Sequence, residues 1–224
     1  MRKIKLKILI ASLMFIIGVS VVLSVAYRNL IFQYSSITIN SNAESEELEE
    51  YAVYSALLNE MFVRDRAKFL VISDRAMFKD NFGEQKLSLD EKLQRKKKYY
   101  PSVANDTFLD FDTKSTQSSK LKSNFNLSVE YVLINEDELT KNVLANEAEK
   151  EKDKRDGKYF LYEKYPDASG LISISKVGFN KEKNQAFVDV ELTFCGLCGS
   201  GDYVLLEKEQ GIWKVKEIFN RWVS

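Results

Sequence analysis

Ala186-Phe-Val-Asp-Val-Glu-Leu-Thr-Phe194, Tyr203-Val-Leu-Leu-Glu-Lys208 and Ile212-Trp-Lys-Val-Lys-Glu-Ile218 decide the fold, together with the run before them, Leu171-Ile-Ser-Ile-Ser-Lys-Val-Gly-Phe179. Each is rich in β-branched and aromatic residues, and the separating segments Asn180–Asn184 and Gln210-Gly211 carry turn chemistry. Within the first run, Val188, Val190, Leu192 and Phe194 alternate with Phe187, Asp189, Glu191 and Thr193. The pattern predicts an antiparallel meander with one buried face, covered by helices that come earlier in the chain.

Those helices are legible upstream. Ser41 and Glu44 have capping-box spacing, and Leu48, Tyr51, Ala52, Leu58 and Phe62 recur at helical intervals, which predicts a helix ending near Phe62. Leu87–Lys98 predicts a second helix, stopped before Pro101, and Thr107–Lys114 a third, shorter one. Lys68–Ser73 is a short, mostly apolar run suited to a buried strand. Phe125, Leu127, Val129, Tyr131 and Leu133 alternate over Phe125–Ile134 and predict a half-buried one, after which Asn135 caps a further short helix. Residues 147–158 (EAEKEKDKRDGK) carry mixed charge and read as a solvated surface segment. The fold class is α+β, with helices packed on a mainly antiparallel sheet.

The other end of the chain gives an address. Arg2, Lys3, Lys5 and Lys7 precede an uncharged run, Ile8–Ala26, and Arg28 is the only basic residue before the acidic stretch of Glu44, Glu46, Glu47, Glu49 and Glu50. Cationic residues stay on the cytoplasmic side of a membrane, so the remainder is expected to face outward. Nineteen uncharged positions match the roughly 20 helical residues that cross a bilayer, which favours a retained anchor. Ser24-Val25-Ala26 offers the small residues of a cleavage site, so secretion after Ala26 is the alternative. The expected organisation is a signal-anchor over 1–26, a polar tether over 27–43 and an exported domain over 44–224.

Composition excludes several activities. Setting aside residues 1–26 leaves 29 basic against 33 acidic residues, a net charge of −4, which gives no electrostatic footprint for nucleic acid. The chain has no histidine, which removes imidazole-based nucleophilic triads and nearly every catalytic zinc site. No metal or cofactor is expected.

The sharpest local motif is Cys195-Gly-Leu-Cys198, within Phe194–Asp202. A catalytic thiol usually sits at a helix N-terminus, whereas strands flank this motif; a structural disulfide is the plainer reading in an oxidising compartment. Gly196, Gly199 and Gly201 lack the following lysine and helix of a phosphate loop and read as glycines of an irregular hairpin. Asp189 and Glu191 share a strand face, and with Glu207 on the next strand they form the candidate carboxylate cluster for acid and base chemistry. Lys92, Arg95, Lys96, Lys97 and Lys98 crowd the end of the second helix before Tyr99 and Tyr100; the helix dipole accounts for them, and anionic lipid or cell-wall polymer is the functional alternative.

Lys176-Val-Gly-Phe-Asn180, Cys195-Gly-Leu-Cys-Gly-Ser-Gly-Asp-Tyr-Val-Leu-Leu-Glu-Lys208, Gly211-Ile-Trp-Lys-Val215 and the terminal Trp222-Val-Ser224 resemble a group of exported bacterial proteins ending in the same way, and Tyr51–Phe62 looks like their first helix. The resemblance covers about a third of the chain and implies no activity. The same C-terminal motifs also resemble NTF2-like cone folds, which implies a small apolar ligand held between helix and sheet; Arg75–Asn124 departs from that pattern. The expectation is a non-catalytic envelope domain that binds or assembles with a protein or small ligand.

Overall fold

Strand pairing places β3 (Ala168–Ile174) at the hinge between a parallel half and an antiparallel half of one sheet, seven-stranded among the described residues. The computed structural model describes Arg28 and residues 44–64, 67–78, 87–135, 161, 164–195 and 198–224. Glu49–Ser224 form one compact unit; of the unit before it, only Arg28 and residues 44–48 are described, all of them helical. The apolar run 8–26, the tether, the helix expected after Asn135 and the charged segment 147–158 lie outside the described residues. Among the described residues no helix is long and apolar enough to cross a membrane.

The antiparallel half is the predicted meander: β5 (Gln185–Cys195), β6 (Cys198–Glu209) and β7 (Ile212–Val223), with the two-residue β4 (Gly178–Phe179) also pairing with β5. Gln210 and Gly211, with φ of 52° and 83°, make the tight β6–β7 turn whose twist suits a hairpin. On the other side of β3, β1 (Phe69–Ser73) and β2 (Glu130–Ile134) extend the sheet in parallel. The sheet is therefore mixed, and the α+β class stands.

Helical residues 49–58 (α1) lead into a π-helical turn, Asn59–Val63. The face that meets the sheet carries Tyr51, Tyr54, Leu57 and Leu58, all buried. Ala52 and Leu48, expected on that face, are exposed, because the apolar stripe runs through Val53, Tyr54 and Leu57 instead. Full burial of each such side chain contributes about 1.5–3 kcal/mol. Polar ties fix the orientation. Tyr54 donates its hydroxyl to the Ser175 carbonyl at 2.9 Å, and Glu50 accepts from Lys176 Nζ at 2.8 Å. Glu49 accepts from Lys208 Nζ at 2.7 Å and from the Trp213 indole at 2.9 Å.

Residues 125–129 are tied to α1 rather than to a neighbouring strand. The Asn126 amide donates to Ser55 Oγ at 2.9 Å, and the Asn59 side-chain amide donates to the Asn126 carbonyl at 2.9 Å. Backbone groups satisfied by side chains of α1 and the π-helical turn after it have no need of a ladder, so the strand predicted from Phe125 begins only at Glu130.

The expected single buried face of the meander is corrected. Val188, Val190, Val204 and Leu206 pack beneath α1, while Phe187, Tyr203 and Leu205 are equally buried on the opposite face with Val103 and Phe111. That second face is covered by α2 (Leu89–Tyr99) and α3 (Asn105–Lys114). A capping box opens α2: the Glu91 amide donates to Ser88 Oγ, and Ser88 N–H donates to the Glu91 carboxylate at 2.7 Å. α3 docks through its acidic face, Asp110 accepting from the Phe179 amide at 2.8 Å and Asp106 from that of Lys181 at 3.1 Å. The helix comes so close that a Cβ on Gly178 would lie 2.4 Å from the Phe111 backbone nitrogen. Phe194, expected to point inward, is exposed because a register irregularity between Thr193 and Cys195 carries it out of the alternation.

Candidate functional site

Asp189 and Glu191 lie two residues apart on β5 and project from one face, as the alternation requires. Across the sheet, Asp189 is level with Tyr203 and Glu191 with Gly201; on β7 these levels correspond to Phe219 and Trp222. A shift of register between Gly201 and Asp202 leaves Arg221 as the extra residue of β7. Such a bulge re-aims a side chain. Here the guanidinium of Arg221 reaches back over β6, 2.9 Å from Asp189 Oδ1 and in direct contact with Glu191. Its path crosses Gly201, which offers no side chain, and the guanidinium carbon sits 4.8 Å above the centre of the Tyr203 ring.

Burial works against the charge on Arg221, but Asp189, Tyr203 and Glu191 together more than offset it and hold the guanidinium above its ordinary range. Asp189 is itself buried, and its strand is pinned by Ser175, whose hydroxyl accepts from the Asp189 amide at 2.9 Å while its own amide donates to the Asp189 carbonyl at 2.9 Å. The cluster forms one wall of a cleft of about 520 Å³, whose other walls include Arg75, Met77, Ser118 and Ser173.

Glu207, the third member of the expected cluster, is elsewhere. It pairs with Gln185, six residues down β6 from the level of Glu191, a separation of roughly 20 Å at the rise of a strand. There it accepts from the Gln185 side-chain amide at 3.4 Å and lies 3.5 Å from Lys216. An acid and base pair needs one carboxyl to keep its proton beside a carboxylate. In this cleft both carboxylates lie against the guanidinium of Arg221, and the arrangement is an ion-pair triad. Arg221 is not singled out by the sequence; its proximity depends on a bulge that no local pattern announces.

The glycines of Gly199-Ser-Gly201 are also explained differently from the sequence reading. Neither has positive φ. The Trp222 indole occupies the space above both, so that a Cβ on Gly201 would lie 2.2 Å from Trp222 Nε1 and one on Gly199 would lie 3.0 Å from its ring. The same two glycines thus admit the indole and leave Arg221 a clear route to β5.

Cys195 ends β5 and Cys198 begins β6, and the two are partners across the ladder. Because Cys198 opens a twelve-residue strand, the chain beyond the motif does not supply the helix N-terminus that lowers a catalytic thiol's pKa. Among the described residues no group of three or more Cys, Asp or Glu side chains is placed to hold a metal ion. No family model, no curated protein and no solved structure matches this chain.

Proposed function

We propose that this chain is a membrane-tethered domain of the cell envelope that acts by binding or assembly outside the cytoplasm. The observation that carries this reading is the charge asymmetry around the uncharged run Ile8–Ala26, four cations before it and an acidic stretch after it. The arrangement of the carboxylates supports a binding role: Asp189 and Glu191 share Arg221, and Glu207 is on another part of the sheet. A disulfide between Cys195 and Cys198 belongs to the same reading, supported by their cross-strand pairing, and would pin the tip of the β5–β6 hairpin. Membership of the group of exported proteins with the same C-terminal motifs is part of the proposal.

The finer fold reading, an NTF2-like cone, draws support from the helix α1 laid across β3, β5 and β6. The parallel trio β2-β1-β3 and the second helical layer depart from it. The competing function is thiol–disulfide exchange at Cys195 and Cys198. Crosslinking in the native envelope tests the first reading, which expects a discrete adduct with an envelope component; adducts confined to cytoplasmic proteins would overturn it. Insulin reduction by the purified chain would favour the competitor.

A further inference from the structure

The second helical layer encloses a pocket of about 270 Å³ between α2, α3 and the sheet. It is distinct from the Asp189 cleft. Its apolar walls are aromatic: Tyr100 from the end of α2, Phe108 and Phe111 from α3, Phe187 from β5 and Tyr203 from β6. The rings hold each other in edge-on and tilted contacts, Tyr100 lying 5.3 Å from Tyr203 and Phe111 lying 5.1 Å from Phe187. Such a lining presents flat, rigid surfaces.

The charged lining is mostly cationic, with Asp112 as its acidic member. Lys92, Lys96 and Tyr99 recur at helical spacing along α2 and all line the pocket, as does Arg95. The carboxylate of Asp112 is engaged by Lys92 at 2.6 Å. Lys96 is only 6% exposed, and among the described residues its ammonium makes one hydrogen bond, to the neutral Asn105 Oδ1 at 3.4 Å. A buried ammonium without a counter-anion is costly, and proteins retain one where something pairs with it. Burial pushes the Lys96 pKa down, consistent with a charge that lacks a carboxylate beside it.

We infer that this pocket binds a small aromatic carboxylate, its ring held among Tyr100, Phe108 and Phe111 and its carboxylate on the ammonium of Lys96. Shape and charge both select the ligand: the volume suits a single compact ring system, and the anion completes the ion pair that the protein leaves open. The site is a property of the folded domain and does not depend on which side of a membrane it faces.

The experiment is a titration of the detergent-solubilised full chain with benzoate and, in parallel, with its neutral counterpart benzamide, followed by ligand-observed NMR. Benzoate is expected to bind at least about tenfold more tightly, the discrimination typical of a charge-assisted hydrogen bond. Lys96→Met keeps the stem volume and should bring the two affinities together. Phe108→Trp fills the pocket without touching the charge and should weaken both probes, which keeps the test decisive if the lysine variant fails to fold. Equal affinities for the two probes in the wild-type chain, absence of benzoate binding, or benzoate binding untouched by Phe108→Trp would each overturn the inference.

Discussion

Trp222 stands where a side chain on Gly201 would have to go: a Cβ there would lie 2.2 Å from the indole nitrogen and 3.0 Å from Arg221 Nη2. One glycine therefore serves the packing of β7 and the passage of the arginine that closes the Asp189–Glu191 triad. Gly201→Ala should destabilise the domain by about 1–3 kcal/mol, the usual cost of overpacking. Urea denaturation measures it. Adding Trp222→Ala should restore part of the loss, and strict additivity of the two changes would show that the contact is not the cause.

Gly178→Ala should cost more than Gly201→Ala. The obstacle at Gly178 is the backbone of Phe111, which moves only if α3 lifts from β4, whereas Trp222 can yield by rotating its side chain. The check is the rank order of unfolding midpoints, which a reversed order would contradict.

Arg221→Met should destabilise by about 3 kcal/mol or more, because it removes the cation that lies 2.9 Å from the buried Asp189 carboxylate. Asp189→Asn in the same background removes the buried charge and should recover part of the stability. If Arg221→Met alone is silent, the triad is a surface feature of little energetic consequence.

Tyr54 gives a pH dependence of definite sign. Burial first, and then the negative charge of Glu50, raise its pKa well above the ordinary 10.0. The folded state thus favours the neutral phenol. Its contribution is fully present below pH 10.0 and is lost as pH rises beyond that value. The stability of Tyr54→Phe, followed by urea denaturation across pH 9–12, should fall less steeply on the alkaline side than that of the wild type. Parallel curves would refute the assignment.

Replacing Cys195 and Cys198 with serine should cost at most roughly 2 kcal/mol, since the loop that a disulfide would close is so short. Alkylation with and without prior reduction, read by mass, tests the bond itself. Free thiols in protein taken from the envelope would remove it from the account.

The strands of the meander were legible because their alternation and turn residues are local properties, and Gln210-Gly211 in particular permits the turn geometry found. Burial on both faces was less visible along β5, where Asp189 and Glu191 interrupt the second apolar face. A signal existed nonetheless in Tyr203-Val-Leu-Leu206, a continuous apolar run of the kind that marks a strand covered on both sides. At the site, Asp189 and Glu191 could be paired from strand geometry alone. Arg221 could not, because its position depends on a bulge in β7 and on the side chain missing at Gly201. Phe125–Val129 alternates like a strand yet is held by Ser55 of α1 and by Asn59 of the π-helical turn, a competition for backbone groups that periodicity does not register. Lys96 looked like one member of a basic helix end; its burial follows from how α2 settles against α3 and the sheet.

The proposed role depends most on the orientation of the chain in a membrane. A C-terminal fusion to a reporter that is active only after export measures it directly, and the account expects activity from the full chain and none after Arg2, Lys3, Lys5, Lys7 and the run Ile8–Ala26 are deleted. A reporter that works only when it is of the cytoplasmic type would contradict the export, the disulfide and the envelope role at once.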